Sequence, residues 1–225
     1  LTGRCNGVTS VLQQQAIDAG VAALRRKKPV QERAKVTSDS ILEAAEIIIV
    51  NEGYEKATTN YIAEKAGVSI GSLYQYFPNK EAIISALIEQ QVSRVSMGLR
   101  TVLRQCMERP LEEASVMAYS FLLHNLREKK ELFYLLPKRS PELIELTHNL
   151  SVERFTHQTA LALLEQHRDE IVVKDLEKAL AILEIGILAN IRKFILGEHV
   201  DMTDEEFVHL VSRLSTAFLK SDIMA

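Results

Sequence analysis

Two short helical patterns in residues 57–80 are joined by only Ala66-Gly67-Val68-Ser69. So short a connection cannot return the second helix antiparallel to the first, so the two must cross steeply. The crossing makes three demands. Ala63 must be small where the helices meet, Gly67 must supply a positive φ in the turn, and Leu73 must plug the angle between them. Ile62, Ala66 and Val68 complete a small core, Thr58 or Thr59 caps the first helix, and Ser69 caps the second. This is helix-turn-helix spacing, which as a bare pattern an ordinary helical corner also satisfies.

The remaining sequence is helical in period with no convincing strand, which gives an all-α fold class. Ile41, Ala45, Ile48 and Ile49 follow the polar Thr37-Ser38-Asp39-Ser40 and precede Gly53, so a first helix is expected there. Asn79 caps a long helix from Lys80 to about Met107, Pro110 opens another to about Arg127, and a short apolar piece, Glu131 to Pro137, follows. Ser140-Pro141 has the order of a helix start, with the pattern continuing to about His167. From Leu176 to Leu196 one apolar stripe is Leu176, Leu180, Leu183, Ile187, Ile191 and Phe194, and Ala181, Ile185, Leu188 and Ile195 form a second. A helix apolar on two sides is buried on two sides, in the middle of a monomeric bundle or in a dimer seam. Gly197 ends it, and Thr203 with Glu206 makes a capping box for a last helix striped by Phe207, Leu210, Val211, Leu214 and Phe218.

Composition narrows the class. With 225 residues, 47% of them hydrophobic, the chain can bury a real core. The most apolar stretch, Ala181 to Leu196, is broken by Glu184, Arg192 and Lys193, so no membrane span is expected. Residues 1–15 lack the basic-then-apolar order of a secretory signal, and Cys5 and Cys106 make neither a disulfide framework nor a zinc spacing, which fits a cytoplasmic location. The net charge of -3 is unevenly spread: Arg25 to Lys35 holds six basic residues against one acid, either a solvated linker or a basic arm. Three segments are expected: a 1–36 extension with that arm, a 37–82 helix-turn-helix domain, and an 83–225 helical bundle.

The surface left over by the crossing is suited to DNA. The leading end of the second helix, Ser69-Ile70-Gly71-Ser72, is small enough to bring its backbone close to base edges in a major groove. Thr59, Ser72, Tyr74 and Tyr76 offer hydroxyls, and Lys80 adds a charge beside a helix N-terminus, all groups that bind phosphate. Gln75 and Asn60 can hydrogen-bond bases, while of the tyrosines one is expected to be mainly structural.

Residues 41–90 resemble the DNA-binding domain of the tetracycline-repressor (TetR) family of bacterial transcriptional regulators. The likeness lies in Ala44-Ala45, Gly53-Tyr54, Thr58-Thr59, Ile62-Ala63, Ala66-Gly67-Val68, Gly71, Leu73-Tyr74, Tyr76-Phe77 and Lys80-Glu81. It implies an all-helical homodimer whose larger domain binds a small effector and whose two C-terminal helices pair with those of a second copy. It further implies base reading by Asn60, Ile70, Gly71, Ser72 and Gln75, and phosphate contacts from Thr59, Tyr74, Tyr76 and Lys80. An apolar Ile70 can meet a thymine methyl but cannot read guanine. The implied function is a repressor on a pseudo-palindromic operator, released by a small, largely apolar effector; the alternative is a non-inducible DNA-binding, nucleoid or adaptor protein.

No comparable motif marks the C-terminal two thirds. Met117, Phe121, His124, Phe133, Tyr134, Phe155 and Asn190 are candidates to line an effector pocket, and the aromatic ones serve equally as core. Leu180, Leu183, Ile187, Ile191, Phe207, Leu210, Leu214 and Phe218 are the candidate dimer residues. An enzyme is the rival class, yet no two of the six histidines stand three or four apart on a helix, and there is no P-loop, dinucleotide fingerprint or nucleophile elbow. The expectation is no catalysis, no cofactor and no metal.

Overall fold

In the computed structural model, which describes residues 32–136, 152–198 and 201–221, the first helix, α1, runs Glu32–Glu52. The sequence predicts its start after Thr37-Ser38-Asp39-Ser40, but these residues lie inside it. The reason is local. Ser40 Oγ donates to the Val36 carbonyl one turn back at 3.0 Å, and Ser38 shares the buried stripe of Ile41, Leu42 and Ala45, so the helix absorbs both hydroxyls. Gly53, at φ +91°, ends α1 and donates its N–H to the Ile48 and Ile49 carbonyls.

Helices α2 (Thr59–Lys65) and α3 (Ile70–Tyr76) are held by the local chemistry that the sequence calls for. Thr58 Oγ1 accepts from the Tyr61 N–H and Ser69 Oγ from the Ser72 N–H. Between them Gly67 takes a left-handed φ of +68°. Its N–H donates to the Glu64 carbonyl at 3.0 Å and the Val68 N–H to the Ala63 carbonyl at 3.0 Å, the paired bonds of a Schellman motif. Ala63 and Leu73 are buried, as are Ile48, Ile62, Phe77, Ile83 and Leu87 of the same unit. Asn79 Oδ1 accepts from the Ala82 N–H at 2.8 Å and starts α4, Lys80–Gln105, which stops two residues short of the predicted Met107.

The described residues divide into two compact units. The first holds those up to Gln90 and the segment from Glu131; there the predicted apolar piece is a turn of π-helix, Glu131–Leu135, packed on α1. The second holds Gln91–Lys130 and the described residues from Val152 on, so α4 contributes turns to both.

In the second unit α5 (Leu111–Glu128) packs along α8 (Asp204–Leu219), and α6 (Val152–Gln166) along α7 (Leu176–Ile195). Leu164, Ile171, Val173, Leu176, Leu180 and Leu219 form one buried cluster. Between α5 and α8, Tyr119 Oη donates to Ser215 Oγ at 2.9 Å and Ser212 Oγ to the Glu112 carbonyl at 3.2 Å. The Thr203–Glu206 capping box is present, and Phe207 behind it stacks on Phe194 with ring centroids 4.1 Å apart. The predicted start at Ser140-Pro141, most of the basic run, Cys5, His148 and His199 lie outside the described residues.

Leu73→Ala removes the plug of the first unit and is expected to cost about 2–5 kcal/mol of stability in urea denaturation. Gly67→Ala is expected to cost about 1–2 kcal/mol from the left-handed backbone alone, since nothing lies within 4 Å of an added Cβ. An unchanged denaturation midpoint for Gly67→Ala would mean that this turn is not left-handed in solution.

Candidate nucleic-acid interface

The crossing buries Leu73 and turns the rest of α3 outward. Ile70, Gly71, Tyr74 and Gln75 are exposed along one stripe, with Ser72 and Tyr76 half-buried beside it. Asn60 is exposed at the start of α2, next to Thr59. The first unit therefore brings the nine residues proposed for DNA onto short elements around one turn.

Their partners show which are fixed and which are at liberty to meet a ligand. Thr59 Oγ1 and Tyr74 Oη lie 3.2 Å apart, so two candidate phosphate donors, fifteen residues apart in the chain, are already aligned. Ser72 Oγ lies 2.8 Å from the capping Ser69 Oγ and shares in the cap. Gly71 has an ordinary helical φ, and the nearest atom to an added Cβ is Ser69 Oγ at 3.9 Å. The fold would accept alanine there.

Lys80 differs from the sequence expectation of a simple surface charge. Its Nζ donates to the Tyr54 carbonyl at 2.7 Å and sits 3.5 Å from the centroid of the Tyr54 ring, tying the start of α4 to the turn after Gly53. Burial lowers the lysine below its usual range, against the pull of Glu55 and then Glu81. An ammonium carries three donors, and the bond to Tyr54 uses one. Sequence reasoning missed Tyr54 because its partner is twenty-six residues away and no local spacing announces the pair. Among the tyrosines the structural one is Tyr61, whose hydroxyl donates to Glu52 Oε1 at 3.0 Å and braces α2 on α1; that bond, then burial, raises its pKa.

The second unit contains a cavity of about 100 Å³. Its walls come from Leu99 and Leu103 of α4, Ala114, Ser115, Ala118, Tyr119 and Leu122 of α5, Ala160, Leu163 and Leu164 of α6, and Leu180, Leu183, Glu184, Ile187 and Leu188 of α7. None of Met117, Phe121, His124 or Asn190 lines it. Met117 instead has its sulfur 3.6 Å from the Cys106 thiol, and Phe121 lies against Gly98, where an added Cβ would stand 2.3 Å from the ring. His124 is exposed and faces Glu128, and Asn190 donates to the Gly186 carbonyl of its own helix at 2.7 Å. Phe133 and Tyr134 belong to the first unit, and the Phe155 side chain is outside the described residues. The physical reason is a matter of helix face: Ala114, Ser115, Ala118, Tyr119 and Leu122 of α5 line the cavity, and Met117, Phe121 and His124 lie on its other faces.

The candidate dimer residues divide in the same way. Leu180, Ile187, Ile191 and Phe207 are buried within the chain's own second unit, and Leu183 and Phe218 are half-buried. Leu210 and Leu214 face outward, and so do Ile185 of the second apolar stripe and Ile182, which the sequence did not single out, on α7. Among the described residues no cluster of His, Cys, Asp and Glu suits a metal, and no helix is long and apolar enough to cross a membrane.

Residues 41–87 match the family model described as bacterial regulatory proteins, tetR family. The chain is 32% identical over 78 residues to the transposon Tn10 TetC protein of Escherichia coli, a match spanning 35% of this chain and 40% of that protein. It is 42% identical over 65 residues to the A-factor receptor protein of Streptomyces griseus, spanning 29% of this chain and 24% of the receptor. The matches to these relatives thus cover less than half of each relative's length. Among solved structures, a TetR-family transcriptional regulator of Mesorhizobium loti superposes with a TM-score of 0.67 at 20% identity, covering 84% of this chain and 98% of that one. RolR in complex with resorcinol gives 0.58 at 17%, covering 83% and 88%; at such identities the likeness is one of fold. The family match and the relatives thus identify residues 41–87 as a domain of the tetR family of bacterial regulatory proteins, within a helical fold shared with solved TetR-family structures.

Proposed function

We propose that the chain is a DNA-binding transcriptional repressor that works in the bacterial cytoplasm as a homodimer on a pseudo-palindromic operator and is released by a small, largely apolar effector. The observation that carries the DNA reading is Gly71. A glycine in the first turn of an exposed helix costs stability against alanine, about 1 kcal/mol, and here neither φ nor crowding requires it. What it offers is a bare backbone at the end of α3 that meets a major groove first. Asn60, Ile70, Ser72 and Gln75 around it read base edges, and Thr59, Tyr74, Tyr76 and Lys80 hold phosphates, with the free amides at the start of α4 beside Lys80.

The dimer reading rests on α7 and α8. These helices pack together, and Ile182, Ile185, Leu210 and Leu214 are all more than half exposed on them. Large aliphatic side chains at helical spacing on adjoining helices suit a second copy of the same face. The effector reading rests on the cavity of the second unit and on α4, which begins at Lys80 among the phosphate contacts and supplies Leu99 and Leu103 to the cavity wall. A molecule that shifts those two leucines acts on the helix that carries Lys80.

Gly71→Ala is expected to keep or raise thermal stability yet weaken DNA binding at least tenfold in gel retardation; unchanged affinity would remove α3 from the interface. Gln75→Ala is expected to change which sequence is preferred. Tyr76→Phe should weaken all sequences alike, and Lys80→Ala should do the same while also lowering the melting temperature through loss of the Tyr54 tie. Base-specific loss in Lys80→Ala would contradict its placement at phosphate. Leu214→Glu is expected to give a folded monomer by light scattering, with circular dichroism unchanged, because Leu214 is 64% exposed in the single chain. A Leu214→Glu dimer would move the interface elsewhere.

A further inference from the structure

The outward face of α7 carries a glycine that neither its own backbone nor any described neighbour requires. Building on the homodimer reading above, we propose that Gly186 is the point at which a helix of a second copy crosses α7 in close contact, with Asn190 beside it setting the register of the pair.

Gly186 stands in the middle of α7, where a glycine weakens a helix relative to alanine. Its φ is not in the left-handed region, so the backbone does not call for it. Crowding does not call for it either, since no described atom lies within 4 Å of an added Cβ. Gly98 of α4 is the contrast, because an added Cβ there would stand 2.3 Å from the Phe121 ring. The reason for Gly98 lies inside the chain, and the reason for Gly186 lies outside it.

What surrounds Gly186 suits another helix. Ile182, Gly186 and Ala189 follow one another at helical spacing and are all exposed, so a bulky side chain gives way to bare backbone and then to a methyl. Such a notch admits the ridge of a second helix, and the missing side chain lets the two backbones come close. On either side stand Ile185 of α7 and Leu210 and Leu214 of the adjoining α8, all more than half exposed. Exposed aliphatic side chains gathered on two helices mark an interface rather than a solvated face.

Charge makes a second copy the fitting occupant. Arg192 and Lys193 near the end of α7, and Asp201 and Glu205 near the start of α8, are exposed and have no ion pair among the described residues. In an isologous interface both copies offer the same patch, so a patch with both signs at one end is complementary to itself. The end of α7 in one copy then meets the start of α8 in the other.

Asn190 supplies the polar element of the seam. Its Nδ2 donates to the Gly186 carbonyl at 2.7 Å, which lays the amide toward the notch and leaves its oxygen and second N–H at the surface. A single asparagine in an apolar helix seam weakens association but fixes the register and the number of helices.

The test is sedimentation velocity of the full chain over a dilution series, with circular dichroism as the check on folding. Gly186→Ala is expected to weaken dimerisation about tenfold or more although it favours the helix itself. Gly186→Leu should give a folded monomer. Asn190→Leu should keep the association but let species larger than the dimer appear. Gly186→Ala dimerising as tightly as the wild type, while Leu214→Glu is monomeric, would overturn the crossing at Gly186 and leave the dimer face standing. An Asn190→Leu chain that remains a single dimeric species would overturn the register role of that residue. A wild-type chain that stays monomeric throughout would overturn both the crossing and the dimer reading.

Discussion

The first unit depends on one backbone conformation. Gly67 in the left-handed region, with Val68 and itself returning hydrogen bonds to Ala63 and Glu64, turns the chain within four residues from α2 into α3. Everything outward follows from that. With Leu73 and Phe77 buried, helical geometry turns Ile70, Gly71, Tyr74 and Gln75 of α3 to solvent. The caps fix the ends of both helices, so the hydroxyls of Thr59 and Tyr74 meet at 3.2 Å without a ligand. A surface aligned before binding loses less freedom on meeting DNA than one assembled on contact. Lys80 extends the same economy to α4, since its tie to Tyr54 sets that helix against the turn that follows α1.

Much of this was legible because it is local. Thr58, Ser69, Asn79 and the Thr203–Glu206 box each act within three residues, and Gly53, Gly67 and Gly197 all have the positive φ of a helix end. Where the sequence misled, the deciding partner lay elsewhere. Thr37-Ser38-Asp39-Ser40 reads as a cap, yet burial of Ser38 and the back-bond of Ser40 carry the helix straight through it. The candidates Met117, Phe121, His124 and Asn190 do not line the described cavity for a related reason: which face of α5 looks inward depends on α4, α7 and α8, and the small residues Ala114, Ser115 and Ala118 make the space while Phe121 fills the gap at Gly98. Likewise both stripes of α7 are apolar, and only packing against α6 shows that Leu180, Ile187 and Ile191 are used inside the chain and Ile182 and Ile185 are not.

The two units differ in how they treat polar groups. In the first the hydroxyls and Gln75 stand at the surface, where strongly hydrated phosphate can reach them. In the second the hydroxyls of Ser115, Tyr119, Ser212 and Ser215 are turned to protein partners, and the described wall of the cavity is aliphatic apart from Ser115, Tyr119 and Glu184. Such a division suits a protein that meets a polyanion with one unit and a small, mostly apolar molecule with the other. The helix common to both, α4, contributes turns to each unit, and the proposed release by an effector runs through it.

The central claim, that the face around Gly71 reads DNA sequence in two symmetric copies, is tested most directly by letting the purified protein select fragments of bacterial genomic DNA and sequencing those it retains. The account predicts one enriched pseudo-palindrome whose half-sites lie about one helical turn or slightly more apart. Retention of fragments with no shared motif, or of none at all, would contradict it.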